Sequence, residues 1–217
     1  LPTAVLYAAR DRVCPFRPDA VDLAVIFANH LAVAMANAEL HRALRRSEAT
    51  LRERATHDPL TGLANRVLVG QRLEEALADD AEGHVGLLFC DLDGFKSVND
   101  KFGHEAGDHL LRQVAARLRA GTREEDLLAR FGGDEFVVVL GSVAGLAELA
   151  ELADALVRTL KAPFKVAGRQ VEISASVGGV IKQRGRATAS EMLRDADAAM
   201  FIAKDRGPGQ VEVMPAL

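Results

Sequence analysis

Two short acidic clusters have the residue types needed to hold a divalent metal ion against a phosphate chain. The first, Asp91-Leu92-Asp93-Gly94-Phe95-Lys96, directly follows an apolar run that ends at Cys90. A carboxylate placed where a buried strand emerges is held rigidly beside open space. Hard cations such as Mg²⁺ take oxygen ligands, usually one or two carboxylates completed by phosphate oxygens and water. Gly94 lets backbone N–H groups come close to a phosphate, and Lys96 adds a positive charge. The second cluster, Gly132-Gly133-Asp134-Glu135, separates two β-rich runs. Its glycines supply a positive-φ turn. A tight turn needs only one Asn or Asp beside a glycine, so the second acid is not explained by the turn. Adjacent carboxylates repel unless something positive sits nearby. Taken singly, either cluster could also be an ordinary polar turn.

The elements that must position these groups alternate in an α/β style. The spacing of apolar residues predicts helices over 66–79, 106–120, 144–160 and 190–204, and strands over 85–90, 127–131, 136–140 and 171–182. The run 85–90 is apolar on both faces, as a covered strand requires. The acidic cluster at 132–135 joins two strands as a hairpin. This order predicts an α/β (α+β) fold, a mixed sheet surrounded by helices and related to the split-βαβ class.

Upstream, residues 20–56 contain no proline or glycine. Val21, Val25, Ala28, Leu31, Met35, Leu40, Leu44 and Leu51 recur at helical spacing, with Asp19 as a cap and Asp58-Pro59 as the stop. From Glu39 the apolar face narrows to a seam of Leu40, Leu44 and Leu51 among Arg42, Arg45, Arg46, Glu48, Arg52 and Glu53. Such a seam suits a two-helix coiled coil, with a solvated helix packed on its own domain as the alternative. Residues 3–9 read as a strand, followed by a loop through Cys14, Pro15, Phe16 and Pro18.

The chain of 217 residues is long enough for one sizeable domain and something smaller. A net charge of −4 argues against a nucleic-acid binder, which usually shows a basic face. Asp22, Asn29, His30, Asn37 and Glu39 interrupt the most apolar window, so a buried or dimer-forming helix is expected there rather than a membrane span. No signal peptide is visible, and a chain beginning at Leu1 is expected to be a piece of a longer protein. Cys14 and Cys90 lack metal-type spacing and are expected to be reduced thiols in the cytoplasm.

Phe131-Gly132-Gly133-Asp134-Glu135-Phe136 resembles the defining motif of the GGDEF family of diguanylate cyclases. Three further pieces follow the family's order. Residues 57–66, His57-Asp58-Pro59-Leu60-Thr61-Gly62-Leu63-Ala64-Asn65-Arg66, resemble its opening segment. Asp91 through Asp100 resemble its metal and phosphate loop. Phe102-Gly103-His104-Glu105-Ala106-Gly107-Asp108 resembles the start of its nucleotide-facing helix. The resemblance implies a nucleotidyl-cyclase-like fold over residues 57–217 that condenses two GTP into cyclic di-GMP. Residues 1–56, a strand, loop and long helix, resemble the C-terminal end of a GAF sensor domain running into a signalling helix, although no sharp motif carries that likeness.

The resemblance assigns roles residue by residue. Asp91, the Leu92 carbonyl and Asp134 would hold two Mg²⁺ or Mn²⁺ ions, with Glu135 assisting in catalysis beside Asp134. Asn99 and Asp108 would read guanine, and Phe95, Lys96, Gly132, Gly133 and Lys204 would complete the substrate site. Arg123 and Asp126 match the family's Arg-x-x-Asp product-inhibition motif. One departure stands out. The family usually continues from the helix of Lys204 to Gly-Arg-Asn, whereas this chain has Gly207-Pro208-Gly209, so one cationic phosphate contact is lost unless Arg206 replaces it. One domain holds one GTP, so the implied enzyme is a homodimer with two sites facing each other. Two rivals remain open: a catalytically silent module that binds GTP or cyclic di-GMP, and a dimer scaffold. A phosphodiesterase domain often follows such domains in longer proteins.

Overall fold

The structure, a computed structural model, describes Ala9 and residues 17–78 and 83–215. The strand expected over residues 3–9 (Ala9 apart), the loop through Cys14, and hence most of the sensor-domain likeness lie outside the described residues. The chain divides into two compact units, Leu1–Glu53 and Arg54–Leu217.

Helix α1 (Pro18–Thr56) carries the first unit and runs through the boundary. Pro18 occupies the first helical position, where a missing N–H costs nothing. Asp19 therefore lies within the first turn rather than at the cap, and it pairs with Arg17 at 2.5 Å. Leu31, Leu40, Leu44 and Leu51 are exposed on the single chain. By length and composition α1 could cross a bilayer; Asp22, Asn29, His30 and Asn37 punctuate it with polar groups that are costly in hydrocarbon.

The second unit is built on a five-stranded sheet of order β2-β3-β1-β6-β7. Its strands are β1 (His84–Asp93), β2 (Leu127–Gly132), β3 (Glu135–Val143), β6 (Ser174–Gln183) and β7 (Val211–Pro215). All pairings are antiparallel except β6 with β7. A small hairpin of β4 (Phe164–Val166) and β5 (Arg169–Val171) stands apart from the sheet.

Strand β1 is central and apolar on both sides, as its sequence predicts. Leu88, Cys90 and Leu92 join the core against α3 (Phe95–Phe102), α4 (His104–Gly121) and α5 (Leu146–Leu160). Val85, Leu87 and Phe89 join the opposite core, against α2 (Arg66–Ala78) and α6 (Ala189–Asp205). Side chains alternate along a strand, so Asp91 emerges on the α6 side. The close approach of α6 to the sheet depends on Gly178, where a Cβ would lie 2.0 Å from the Met200 backbone nitrogen and 2.3 Å from the Ala196 carbonyl oxygen.

The mixed sheet surrounded by helices matches the expected fold. Four details differ, the first being strand β4, which was not expected. Helix α3 occupies part of the expected metal and phosphate loop. The strand expected over 171–182 is broken at Glu172-Ile173 into β5 and β6. Strand β7, which was not expected, extends the sheet edge beyond β6.

Candidate active site

The antiparallel register of β1 and β3 brings the two acidic clusters together. Asp91 stands opposite Glu135, and the Leu92 N–H donates to the Asp134 carbonyl at 3.3 Å. Directly opposed residues on paired strands present their side chains to one face. Lys204, near the end of α6, donates to Asp91 Oδ1 at 2.6 Å. One ammonium thus offsets three neighbouring carboxylates.

The electrostatics follow from this crowding. Burial, and then the neighbouring Asp91, push the Asp134 carboxyl above its ordinary pKa. Burial, Asp91, Asp197 and Asp134 do the same to Glu135. The hydrogen bond to Asp91 raises Lys204. Carboxylates held together at such a cost suit a site that binds cations, and the ammonium on Asp91 already acts as one. Among the described residues no three His, Cys, Asp or Glu side chains gather closely enough to hold a metal by themselves. Hard cations shared with phosphate take a few carboxylate oxygens and leave their remaining ligands to substrate and water, and Asp91, Asp134 and Glu135 offer oxygens of that kind.

The turn bearing Asp134 is clamped from behind. Arg130, on β2, donates through Nε and Nη2 to the Gly133 carbonyl at 2.9 and 2.7 Å. Its Nη1 reaches both oxygens of Asp58 at 3.2 and 3.1 Å. Asp58 also accepts from the Thr61 N–H and hydroxyl at 2.9 and 2.7 Å. Partial burial opposes ionisation of Asp58, but the Thr61 bonds and Arg130 outweigh it and hold the carboxyl below its usual range. Of the two turn glycines only Gly133 has positive φ, at 50°, so the expected pair of left-handed glycines is a single one.

A second clamp holds the same end of β1, at its last residue. Asp93 accepts from Ser174 and Ser176 hydroxyls and from the Gly209 N–H, each at 2.8 Å. It ties the end of β1 to the start of β6 and to the Gly207-Pro208-Gly209 loop. Gly209 has φ 71°, a left-handed conformation that asparagine also tolerates. Arg206, which could replace the arginine that Pro208 displaces only by leaving its partner, pairs with Glu212 of β7.

Next to the carboxylates, Gly94 adopts a left-handed conformation at φ 81° and starts α3. The first-turn N–H groups of α3 have no partners within the helix, an arrangement that favours phosphate. Lys96 is exposed on this turn, while Phe95 is 8% exposed and packed in the core. Asn99 sits on α3 facing α4. Its Oδ1 is buried and has no hydrogen-bond partner among the described residues. Room for it exists because residue 107 is glycine: a Cβ there would lie 1.9 Å from Oδ1. Asp108 follows Gly107 and is exposed.

Arg123 and Asp126 stand in the turn between α4 and β2, where the Asp126 N–H donates to the Arg123 carbonyl at 3.3 Å. Asp126 is 6% exposed, and burial raises its pKa. Arg123 turns outward to Glu148 on α5 at 2.8 Å. Cys90 is fully buried on β1, where burial pushes its thiol up, so the described cysteine is protonated.

Residues 55–210 match the family profile described as "Diguanylate cyclase, GGDEF domain". The chain belongs to the GGDEF family. It is similar to the bifunctional diguanylate cyclase/cyclic di-GMP phosphodiesterase MucR of Pseudomonas aeruginosa, at 44% identity over 170 residues, which is 77% of this chain and 25% of MucR. The diguanylate cyclase TpbB of the same species is 40% identical over 169 residues, 76% of this chain and 39% of TpbB. This chain therefore spans well under half the length of these curated relatives. The solved GGDEF domain of TpbB aligns with TM-score 0.69 and 39% identity, covering 72% of this chain and 93% of that one. The coiled coil and GGDEF domain of DgcB from Caulobacter crescentus, solved with c-di-GMP, align with TM-score 0.77 and 28% identity, covering 86% of this chain and all of that one.

Sequence reasoning had singled out the carboxylates, Asn99 and Asp108 but not the two clamps. An arginine inside the apolar run Leu127-Leu128-Ala129-Arg130-Phe131 was the visible signal for the first. A serine at every second position, Ser174 and Ser176, was the signal for the other.

Proposed function

We propose that residues 57–217 form a diguanylate cyclase that condenses two GTP into cyclic di-GMP and releases pyrophosphate, working as a homodimer in the cytoplasm. The observation that carries this reading is the β1–β3 register, which sets Asp91 opposite Glu135 and beside Asp134. Asp91, Asp134 and the Leu92 carbonyl would hold two Mg²⁺ or Mn²⁺ ions, with Glu135 at the same edge. When bound, the ions neutralise the triphosphate and acidify the 3′-hydroxyl that attacks the α-phosphate.

The chain's own residues do the rest. The first turn of α3 and Lys96 would receive phosphate, and Lys204, which donates to Asp91 at the same edge, would add a further positive charge for it. Asp108 accepts from guanine N1–H and the 2-amino group, which adenine does not offer, while Asn99 fills the complementary side. Gly132 and Gly133 keep the turn low beside the nucleotide, and Phe95 anchors α3 to the core. Each unit presents one GTP, so two copies must face each other, and residues 1–56, read as a sensor end and signalling helix, would set that geometry. Arg123 and Asp126 are read as the product-inhibition site.

A module that binds nucleotide without turnover is the second reading. Pro208 favours it, because the expected arginine is missing and Arg206 pairs with Glu212. Incubating the purified chain with GTP and Mg²⁺ and separating the products chromatographically decides between them. The cyclase reading expects cyclic di-GMP and pyrophosphate, with synthesis lost in Asp134→Ala. GTP binding with no product at high protein concentration would replace it with the silent module.

A further inference from the structure

Arg123 is not waiting open for a ligand. Its Nη2 donates to Glu148 Oε1 at 2.8 Å, and Glu148 is itself fixed, because Oε2 accepts the Ala144 N–H at 2.7 Å. The carboxylate that holds Arg123 stands in the first turn of α5 and thus also ties that turn to the chain segment just before the helix. A carboxylate anchored in this way loses less freedom on pairing than a free surface side chain. Asp126, three residues on, is buried beneath and accepts no hydrogen bond through its carboxylate among the described residues. The two halves of the Arg-x-x-Asp motif are therefore in unequal states: the acid is buried, with only the charge of Arg123 favouring its ionised form, and the arginine is hydrogen-bonded to Glu148.

An arginine recognises a phosphate or a guanine acceptor edge through the paired donors of its planar fork. Glu148 occupies one arm of that fork, so an anionic ligand can use both arms only after the pair opens. We propose that Glu148 competes with cyclic di-GMP for Arg123 and thereby raises the product concentration at which inhibition sets in. This inference rests on reading Arg123 and Asp126 as the product site. The pair is partly solvent-exposed, with side chains 42% and 28% accessible, so its strength is that of a modest surface contact. A competing state of that strength weakens apparent ligand affinity about two- to six-fold.

Glu148→Gln isolates the effect. The amide keeps an oxygen for the Ala144 N–H but turns a donor towards Arg123. Glu151→Gln removes a neighbouring exposed acid of α5 that makes no contact with Arg123 and so controls for net charge. Calorimetric titration of the parent chain, both of these variants and Arg123→Ala with cyclic di-GMP reads the competition directly. The expected result is about two- to six-fold tighter binding by Glu148→Gln, no comparable gain by Glu151→Gln, and loss of binding by Arg123→Ala. Loss in Arg123→Ala with unchanged or weaker binding by Glu148→Gln overturns the competition and leaves the product site standing. Equal gains from the two glutamines also overturn it, because charge alone would then suffice. Absence of binding by the parent, or parental binding by Arg123→Ala, removes the product site and the inference together.

Discussion

Replacing Gly107 with alanine tests the guanine-reading role proposed for Asn99 without touching any group that would contact the nucleotide. The added methyl group would lie 1.9 Å from Asn99 Oδ1, 2.9 Å from its Cγ and 3.2 Å from the Phe95 ring. The Asn99 amide must therefore swing away. Its Oδ1 has no protein partner to lose, so the cost to the fold is that of overpacking, about 1–3 kcal/mol. Alanine in place of glycine inside a helix returns about 1 kcal/mol, leaving a net destabilisation of roughly 0–2 kcal/mol. That corresponds to a fall in melting temperature of no more than about 8 °C for a unit of this size. Binding suffers more: losing one hydrogen-bonded amide contact to guanine costs about 1–3 kcal/mol, or roughly 5- to 150-fold in GTP affinity. Selectivity over ATP should shrink in parallel. Calorimetry with GTP and with ATP, beside thermal melts, measures both. Asn99→Ala should reproduce the loss, and the double variant should be no worse than the singles, since both remove one contact. A Gly107→Ala protein that melts normally and binds GTP as the parent does would refute the role given to Asn99.

Arg130→Ala frees the Gly133 carbonyl and strands Asp58, and should destabilise the second unit by about 2–4 kcal/mol in chemical denaturation. Asp58 ionises more readily in the folded chain than unfolded. The parent's advantage over Asp58→Asn is therefore fully present above the ordinary carboxylate pKa, about 3.9, and fades as pH falls through the lower folded value; a pH series of melts checks this. Gly178→Ala drives a methyl group into the α6 backbone, 2.0 Å from the Met200 nitrogen, and should cost about 3 kcal/mol or more, seen as a large drop in melting temperature or insoluble protein. Leu44→Glu with Leu51→Glu places charge in the leucine seam of α1, and sedimentation should show a weaker dimer than the parent; equal dimerisation would remove the seam from the interface.

The parts of the fold legible in the sequence were those with strong periodicity. Strand β1 shows as an apolar run because both its faces are covered, and α4 and α5 show as amphipathic stripes. Helix α3 was hidden by its flanks: Gly94 and Gly103 read as loop punctuation, although Phe95, Val98 and Phe102 sit at helical spacing. The β4–β5 hairpin turns at Ala167-Gly168, with Ala167 at φ 48°, rather than at the Asn-Gly or Asp-Gly pair that signals such a turn. Strand β7 is short, lies at the sheet edge and ends in proline. In the site, motif order singled out the acids, but their convergence is a matter of register, which no local pattern encodes. The clamps of Arg130 and Asp93 join residues 72 and 81 positions away and emerge only when the strands are laid side by side.

The proposed chemistry requires a shared cation held between β1 and the β2–β3 turn next to a bound nucleotide. Mn²⁺ binding followed by electron paramagnetic resonance, in the presence of a non-hydrolysable GTP analogue, reads that event without relying on turnover. The parent chain should bind Mn²⁺ together with the analogue, and Asp91→Asn and Asp134→Asn should each weaken that binding sharply while melting no lower than the parent. If either variant binds Mn²⁺ as the parent does, the carboxylates at these two positions do not share a metal and the proposed chemistry fails.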